Sequence, residues 1–194
     1  MAAFTENLNF FASIGGVLGQ LFIVTVFVLF LCVKFAPHTQ GAKQACLRRQ
    51  AREVLAKIST HGVLIGFVVS LVSVILSLVY SDIVGYVPCT LCWFQRIFLY
   101  PQVIIFGLAL WKKTKDSELY CLVLSIIGAV IAGYHFYGQS INPSALPACA
   151  ASGGTSCAVR YFVEFGYVTI PMMAFTAFLL IITTLLLSRY NTRD

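Results

Sequence analysis

The residues best suited to chemistry in this chain are two thiols three positions apart, in Cys89-Thr90-Leu91-Cys92-Trp93-Phe94-Gln95-Arg96. A short polar segment carrying Pro88 leads into a long apolar run at this point. Cys89 is therefore expected just outside a helix and Cys92 in or beside its first turn. Backbone N–H groups without intrahelical partners stabilise a thiolate there. Arg96 follows Cys92 by four residues, so both share one helix face. Such a constellation suits cycling between dithiol and disulfide. Arg96 also has a plainer reading as a snorkelling anchor at the membrane interface, which weighs less beside two thiols.

A second pair, Cys149 and Cys157, encloses seven residues in a segment rich in Pro, Gly, Ser and Ala, 138–168. A disulfide closes a loop of that size easily. It is either a structural staple or an exchange partner for the first pair. Sulfur accessibility in such a loop favours exchange. His135, near the end of an apolar run, has two equal readings. One is a functional intramembrane histidine, the other a ring that merely hydrogen-bonds a neighbouring carbonyl. No metal site is expected, because the four thiols lack a second Cys-x-x-Cys and fall on an oxidising side.

The elements that position these residues follow from composition. Of 194 residues, 59% are hydrophobic and 10% charged, and mean hydropathy is +0.89. That balance excludes a soluble domain and specifies an all-α integral membrane protein. Apolar runs at 14–35, 62–80, 93–111, 119–137 and 169–188 are each long enough to span a bilayer as a helix. Pro101 falls inside the third and permits a kink. The +6 net charge is not a nucleic-acid footprint. Lys43, Arg48, Arg49, Arg52 and Lys57 follow the first span, Lys112, Lys113 and Lys115 the third, and Arg189 and Arg193 the fifth. The positive-inside rule makes those segments cytoplasmic, the N-terminus external and the C-terminus internal. The first span has no preceding Lys or Arg and reads as an anchor rather than a cleaved leader.

This topology sorts the seven cysteines. Cys89, Cys92, Cys149 and Cys157 fall outside, where disulfides persist, and Cys32, Cys46 and Cys121 on the reducing side. Cys32 and Cys121 read as packing residues, and Cys46 offers thin evidence of lipidation. Residues 42–59 read as an amphipathic helix on the inner leaflet, with Leu47, Ala51, Val54, Leu55 and Ile58 on its apolar face. Gly15-x-x-x-Gly19 has the spacing that lets helices pack closely.

Together these residues resemble the DsbB/BdbC family of bacterial thiol:quinone oxidoreductases. The resemblance rests on Cys89-x-x-Cys92-Trp-Phe-Gln-Arg96 opening a span, then Cys149 and Cys157, Arg160-Tyr161 and Gly166-Tyr-Val-Thr-Ile-Pro171 before the last span. It covers about residues 62–188, a four-span core. It implies a four-helix transmembrane bundle to which this chain adds one N-terminal span. It also implies that a DsbA-like thioredoxin-fold oxidase is reoxidised through Cys149–Cys157, with Cys149 forming the mixed disulfide. Electrons then pass to Cys89–Cys92 and on to ubiquinone or menaquinone, with Cys92, Arg96 and His135 at the quinone. The implied location is the bacterial cytoplasmic (inner) membrane. The expected division is a tail and extra span at 1–35, a basic linker at 36–61, the redox core at 62–188 and a tail at 189–194. A vitamin K epoxide reductase-like protein is the nearest rival, but its quinone-facing pair belongs to a later helix. The other rival is a non-catalytic scaffold with structural disulfides.

Overall fold

The computed structural model describes residues 2–35, 42–114, 117–146 and 155–191, with side chains described except at 2, 42–47 and 191. Cys149 and Lys115, and with them Pro147, Gly153, Gly154 and Arg193, lie outside the described residues, as do the side chains of Lys43, Cys46 and Leu47. Six helices are present: α1 (Ala2–Phe35), α2 (Ala42–Thr60), α3 (Gly62–Leu78), α4 (Thr90–Lys112), α5 (Ser117–Ser140) and α6 (Ile170–Asn191). A π-helical turn, Val79–Ile83, extends α3, and a 3-10 turn, Pro143–Ala145, follows α5. All of these helices except α2 are long and apolar enough to cross a membrane, with α3 and its π-helical turn forming a single span. The protein is an all-α membrane bundle.

Each apolar run forms a helix because lipid offers no partner for unpaired backbone groups. The first helix begins at Ala2 rather than near residue 14. Its polar residues Asn9 and Ser13 do not end it, since both are buried in the fold. Helix α4 continues through Pro101. Near it, buried Gln102 folds its carboxamide back onto the Phe98 carbonyl at 2.8 Å and accepts from Ser125 of α5 at 3.0 Å.

Helix α6 is central and packs against α5, α3, α1 and α2. Phe106, Phe178, Ile181 and Leu185 are fully buried in its core, and Cys121 packs there as a small apolar side chain. The extra span α1 lies along α6. Gly19 touches α6, where an added Cβ would meet Leu180 at 2.9 Å, whereas Gly15 meets nothing within 4 Å. The expected small-residue stripe is thus half used. Gln20 donates to Thr176 at 3.2 Å and accepts from Tyr167 at 2.7 Å. On α2, Ala51 and Ser59 are buried, while Val54 faces outward. Burial against α1 and α6, rather than hydrophobicity alone, selects the inward face.

Candidate redox site

Cys89 occupies the N-cap of α4 in an extended conformation (φ −76°, ψ 173°), and its sulfur accepts from the Cys92 N–H at 3.4 Å. The cap position expected from the sequence is therefore the one adopted. A sulfur takes the place usually held by a Ser or Asp oxygen. The Cys89 and Cys92 sulfurs are 3.1 Å apart. The Cys89 thiol is pushed up to about 12, first by its hydrogen bond to the Cys92 sulfur and then by burial.

Cys157 comes to this pair from the loop after α5. It is buried, and burial pushes its thiol up to about 11. The Cys89 and Cys157 sulfurs and a ring nitrogen of His135 all lie within 4.8 Å of one another. This is the spacing from which one sulfur can attack another after a small approach. Its described neighbours are Leu91 and Leu146, which pack in the same buried cluster. Leu146 sits against Gly138, where any Cβ would collide with it at 2.3 Å.

Two sets of contacts bring Cys157 here. Tyr161 stacks on Tyr86 at 4.3 Å and donates to the Val87 carbonyl at 2.7 Å, joining the two outer loops. Gly85, at φ 82°, turns the first of these loops in the left-handed region that glycine adopts freely. Buried Gln139, at the end of α5, donates to the carbonyls of Cys157 (3.0 Å) and Val159 (2.9 Å). Arg160 donates in turn to the Gln139 carbonyl. Gln139 and Gln95 were not singled out in the sequence. Their signal is present but faint: Gln139 follows His135 by four residues, which puts two polar side chains on one face of an apolar helix.

His135 is almost fully buried. Its Nδ1 faces the Gln95 carboxamide nitrogen at 3.1 Å, its Nε2 the Cys157 carbonyl at 3.0 Å, and the Cys89 sulfur lies 3.8 Å from Nε2. Both bonds are satisfied by one tautomer, with Nδ1 accepting from Gln95 and Nε2–H donating to Cys157. In that tautomer Nε2 carries its proton toward the Cys157 carbonyl and offers no lone pair to the Cys89 and Cys157 sulfurs.

Arg96 points the other way. Its guanidinium lies over the Trp93 ring at 5.2 Å and donates to the Ser77 carbonyl at 3.0 Å. Ser77 lies two residues before the π-helical turn, where the backbone ladder shifts to pairs such as Val84 N–H to the Val79 carbonyl. Such turns release carbonyls for other donors. Arg96 is thereby fixed between α3 and α4 on the flank of Cys92 and does not line the cleft over the sulfurs. That cleft, bordered by Cys89, Cys92, His135, Tyr86, Tyr161 and Pro171, has a volume of about 40 Å³. It has room for a few waters, not a ring. Cys92 is partly exposed, and its neighbours Trp93 and Phe94 are exposed on the bundle surface.

A helical membrane bundle that gathers a Cys-x-x-Cys pair and a third cysteine at one end has the parts for thiol–disulfide exchange. The family model "Disulfide bond formation protein DsbB" matches residues 59–188, and the chain belongs to that family. It is 39% identical over 117 residues to the disulfide bond formation protein C of Bacillus subtilis, covering 60% of this chain and 83% of that one. It is 44% identical over 114 residues to a probable disulfide formation protein C of Halalkalibacterium halodurans, covering 58% and 82%. A probable disulfide formation protein of Oceanobacillus iheyensis is 44% identical over 105 residues, covering 54% and 72%. No solved structure matches. The protein is thus a multi-pass protein of a bacterial membrane with a role in disulfide bond formation.

Proposed function

We propose that the protein is a thiol:quinone oxidoreductase that reoxidises an extracytoplasmic, DsbA-like thioredoxin-fold oxidase and passes two electrons to ubiquinone or menaquinone. The observation that carries this reading is the approach of Cys157 to Cys89, within 4.8 Å. It connects the loop that meets a partner to the pair that meets the lipid.

The partner's thiolate attacks Cys149 of the Cys149–Cys157 disulfide and expels Cys157 as a thiolate. Burial that pushes Cys157 to about 11 makes this thiolate a strong nucleophile beside its target. It attacks Cys89 of the Cys89–Cys92 disulfide, forming Cys89–Cys157 and releasing Cys92. The partner's second thiol then closes the partner's own disulfide and frees Cys149. Cys149 attacks Cys157, restoring the loop disulfide and leaving Cys89 and Cys92 as a dithiol that holds the two electrons. A bound quinone supplies the acceptor for those two electrons and two protons, and Cys89–Cys92 returns to the disulfide.

The donor set fits such a group on the lipid-facing side of Cys92. Cys92 is partly exposed, and Trp93 and Phe94 beside it are exposed on the bundle surface. Arg96, with one N–H group on Ser77, keeps further donors for an oxygen. The cleft over the sulfurs is too small for a ring as it stands. A contact from His135 would need one of its two hydrogen bonds to be given up, so Cys92 and Arg96 carry the assignment.

In this reading the sulfur end faces outward. The opposite end, where Lys34, Arg48, Arg52, Lys112 and Arg189 gather, faces the cytoplasm. The test is quinone reduction by the purified protein supplied with a reduced thioredoxin-fold partner. Turnover that disappears in Cys92→Ser is expected. Absence of turnover with either quinone, in folded protein with titratable thiols, overturns the proposal.

A further inference from the structure

At the end of the bundle opposite the sulfurs, α1, α2 and α6 enclose a cavity of about 650 Å³. Lys34, Arg48 and Arg52 line it together with Phe30, Leu187 and Tyr190, and no carboxylate among the described residues does. Three cations around one cavity repel each other unless an anion joins them. Arg48 donates through Nη2 to the Val33 carbonyl at 2.9 Å, which fixes its guanidinium. Its Nε is buried without a hydrogen-bond partner. A buried donor left unpaired marks a place where an acceptor belongs. The only acidic residue of α2, Glu53, is engaged on the outer surface with Arg49 at 3.1 Å.

A second cavity of about 420 Å³ runs on from the first between α1 and α6, and the two share Phe30, Leu187 and Tyr190. Its remaining lining is Ile23, Val26, Phe27, Thr183 and Leu186, with no charge. A cationic chamber that opens into an apolar groove has the polarity of one phospholipid, head and chain. We propose that the paired cavities hold a single anionic phospholipid. Its phosphate lies among Lys34, Arg48 and Arg52, and one acyl chain lies in the groove between α1 and α6. Guanidinium groups suit phosphate oxygens, and basic pockets between helix ends take anionic headgroups. The apolar groove assigns the site to a lipid rather than to free phosphate, which would leave that groove unfilled. Lys34, Arg48 and Arg52 all precede the family-matched segment at 59–188. The site therefore belongs to this chain's N-terminal extension, and its lipid would complete the joint between α1 and the redox core.

The test is native mass spectrometry of the full chain with dioleoyl-phosphatidylglycerol and dioleoyl-phosphatidylcholine in competition. Preferential retention of one phosphatidylglycerol is expected. Arg52→Gln and Lys34→Gln should each weaken it about fivefold, the equivalent of about 1 kcal/mol per basic residue near the headgroup. Arg48 is left intact because its bond to Val33 also serves folding. Arg49→Gln removes the same charge from the outer face and should leave retention unchanged. Equal loss with Arg49→Gln would reduce the effect to general surface charge and overturn the site. Displacement of the lipid by millimolar inorganic phosphate would show a phosphate site only, and equal retention of both lipids would show none. Each variant is read alongside its helical content and thermal midpoint. Should Arg52→Gln fail to fold, the Lys34→Gln result decides. No partner or quinone is present, so the outcome is independent of the redox reading.

Discussion

The core and the N-terminal extension are joined by different physics. Within the core, helices are tied by buried polar bonds: Gln102 to Ser125 at 3.0 Å, Glu118 to Ser188 at 2.8 Å, and Gln95 to His135 at 3.1 Å beside the sulfurs. Such bonds have geometry, and in a low-dielectric interior they hold side chains to a register. The extension meets the core through Gly19, through Gln20 and through aromatic edges such as Phe30 against Tyr190 at 5.6 Å. Among the described residues, three cavities remain between them. Chemistry that needs sulfurs placed to a fraction of an ångström sits where polar bonds fix the helices. The loosely packed joint is the part free to differ.

The comparison breaks most sharply at the sulfurs. Cys92→Ser should abolish quinone reduction outright while the fold persists, because no other described thiol is partly open beside Arg96. Alkylation of the fully reduced protein gives the next largest effect. A raised pKa means the thiol form persists, so reactivity should rise with pH until about 11 at Cys157 and about 12 at Cys89. Near pH 8, Cys157 should react about tenfold more slowly than an ordinary thiol, the loss of thiolate being partly offset by its greater nucleophilicity; mass mapping that finds ordinary rates would contradict its burial.

Smaller, and more specific, is Gln139→Ala. Freeing the Cys157 and Val159 carbonyls from their shared clip should slow partner-driven turnover about tenfold, a loss typical of misplaced reactants. A small dithiol that reduces Cys89–Cys92 directly should still drive quinone reduction at the wild-type rate. Loss in both assays would make Gln139 merely structural. The smallest expected effect lies in the joint. Gly19→Leu crowds Leu180 and should cost about 1–3 kcal/mol of stability with turnover unchanged. A matching fall in turnover would erase the distinction between core and extension.

The sequence made the spans legible because long apolar runs have few alternatives in lipid. The Cys89 cap was legible too, since Pro88 and the polar-to-apolar boundary mark a helix start in a few adjacent residues. Exchange between the two cysteine pairs was expected, but the contacts that bring Cys157 to Cys89 were not legible, because 68 positions separate them and the docking depends on Tyr161, Tyr86 and Gln139. Nor was the partner of Arg96. Arg96 donates to the Ser77 carbonyl of another helix, 19 positions away, which also accepts from the Ser81 hydroxyl, and no spacing announces that contact. The apolar run at 14–35 marked the first span but not the full helix, which starts by Ala2 and carries Asn9 and Ser13 buried within it. The roles of Cys149, and of every cysteine in the exchange, remain part of the proposed reading.

The most direct test of the relay is a trap. In a Cys92→Ser, Cys149→Ser variant, Cys89 and Cys157 are left as the two sulfurs at the outer end. After mild oxidation in the membrane, peptide mass mapping should recover them joined to each other in most of the protein. If both thiols instead remain free under conditions that oxidise the wild-type Cys89–Cys92 pair, the two loops do not exchange electrons and the account is wrong.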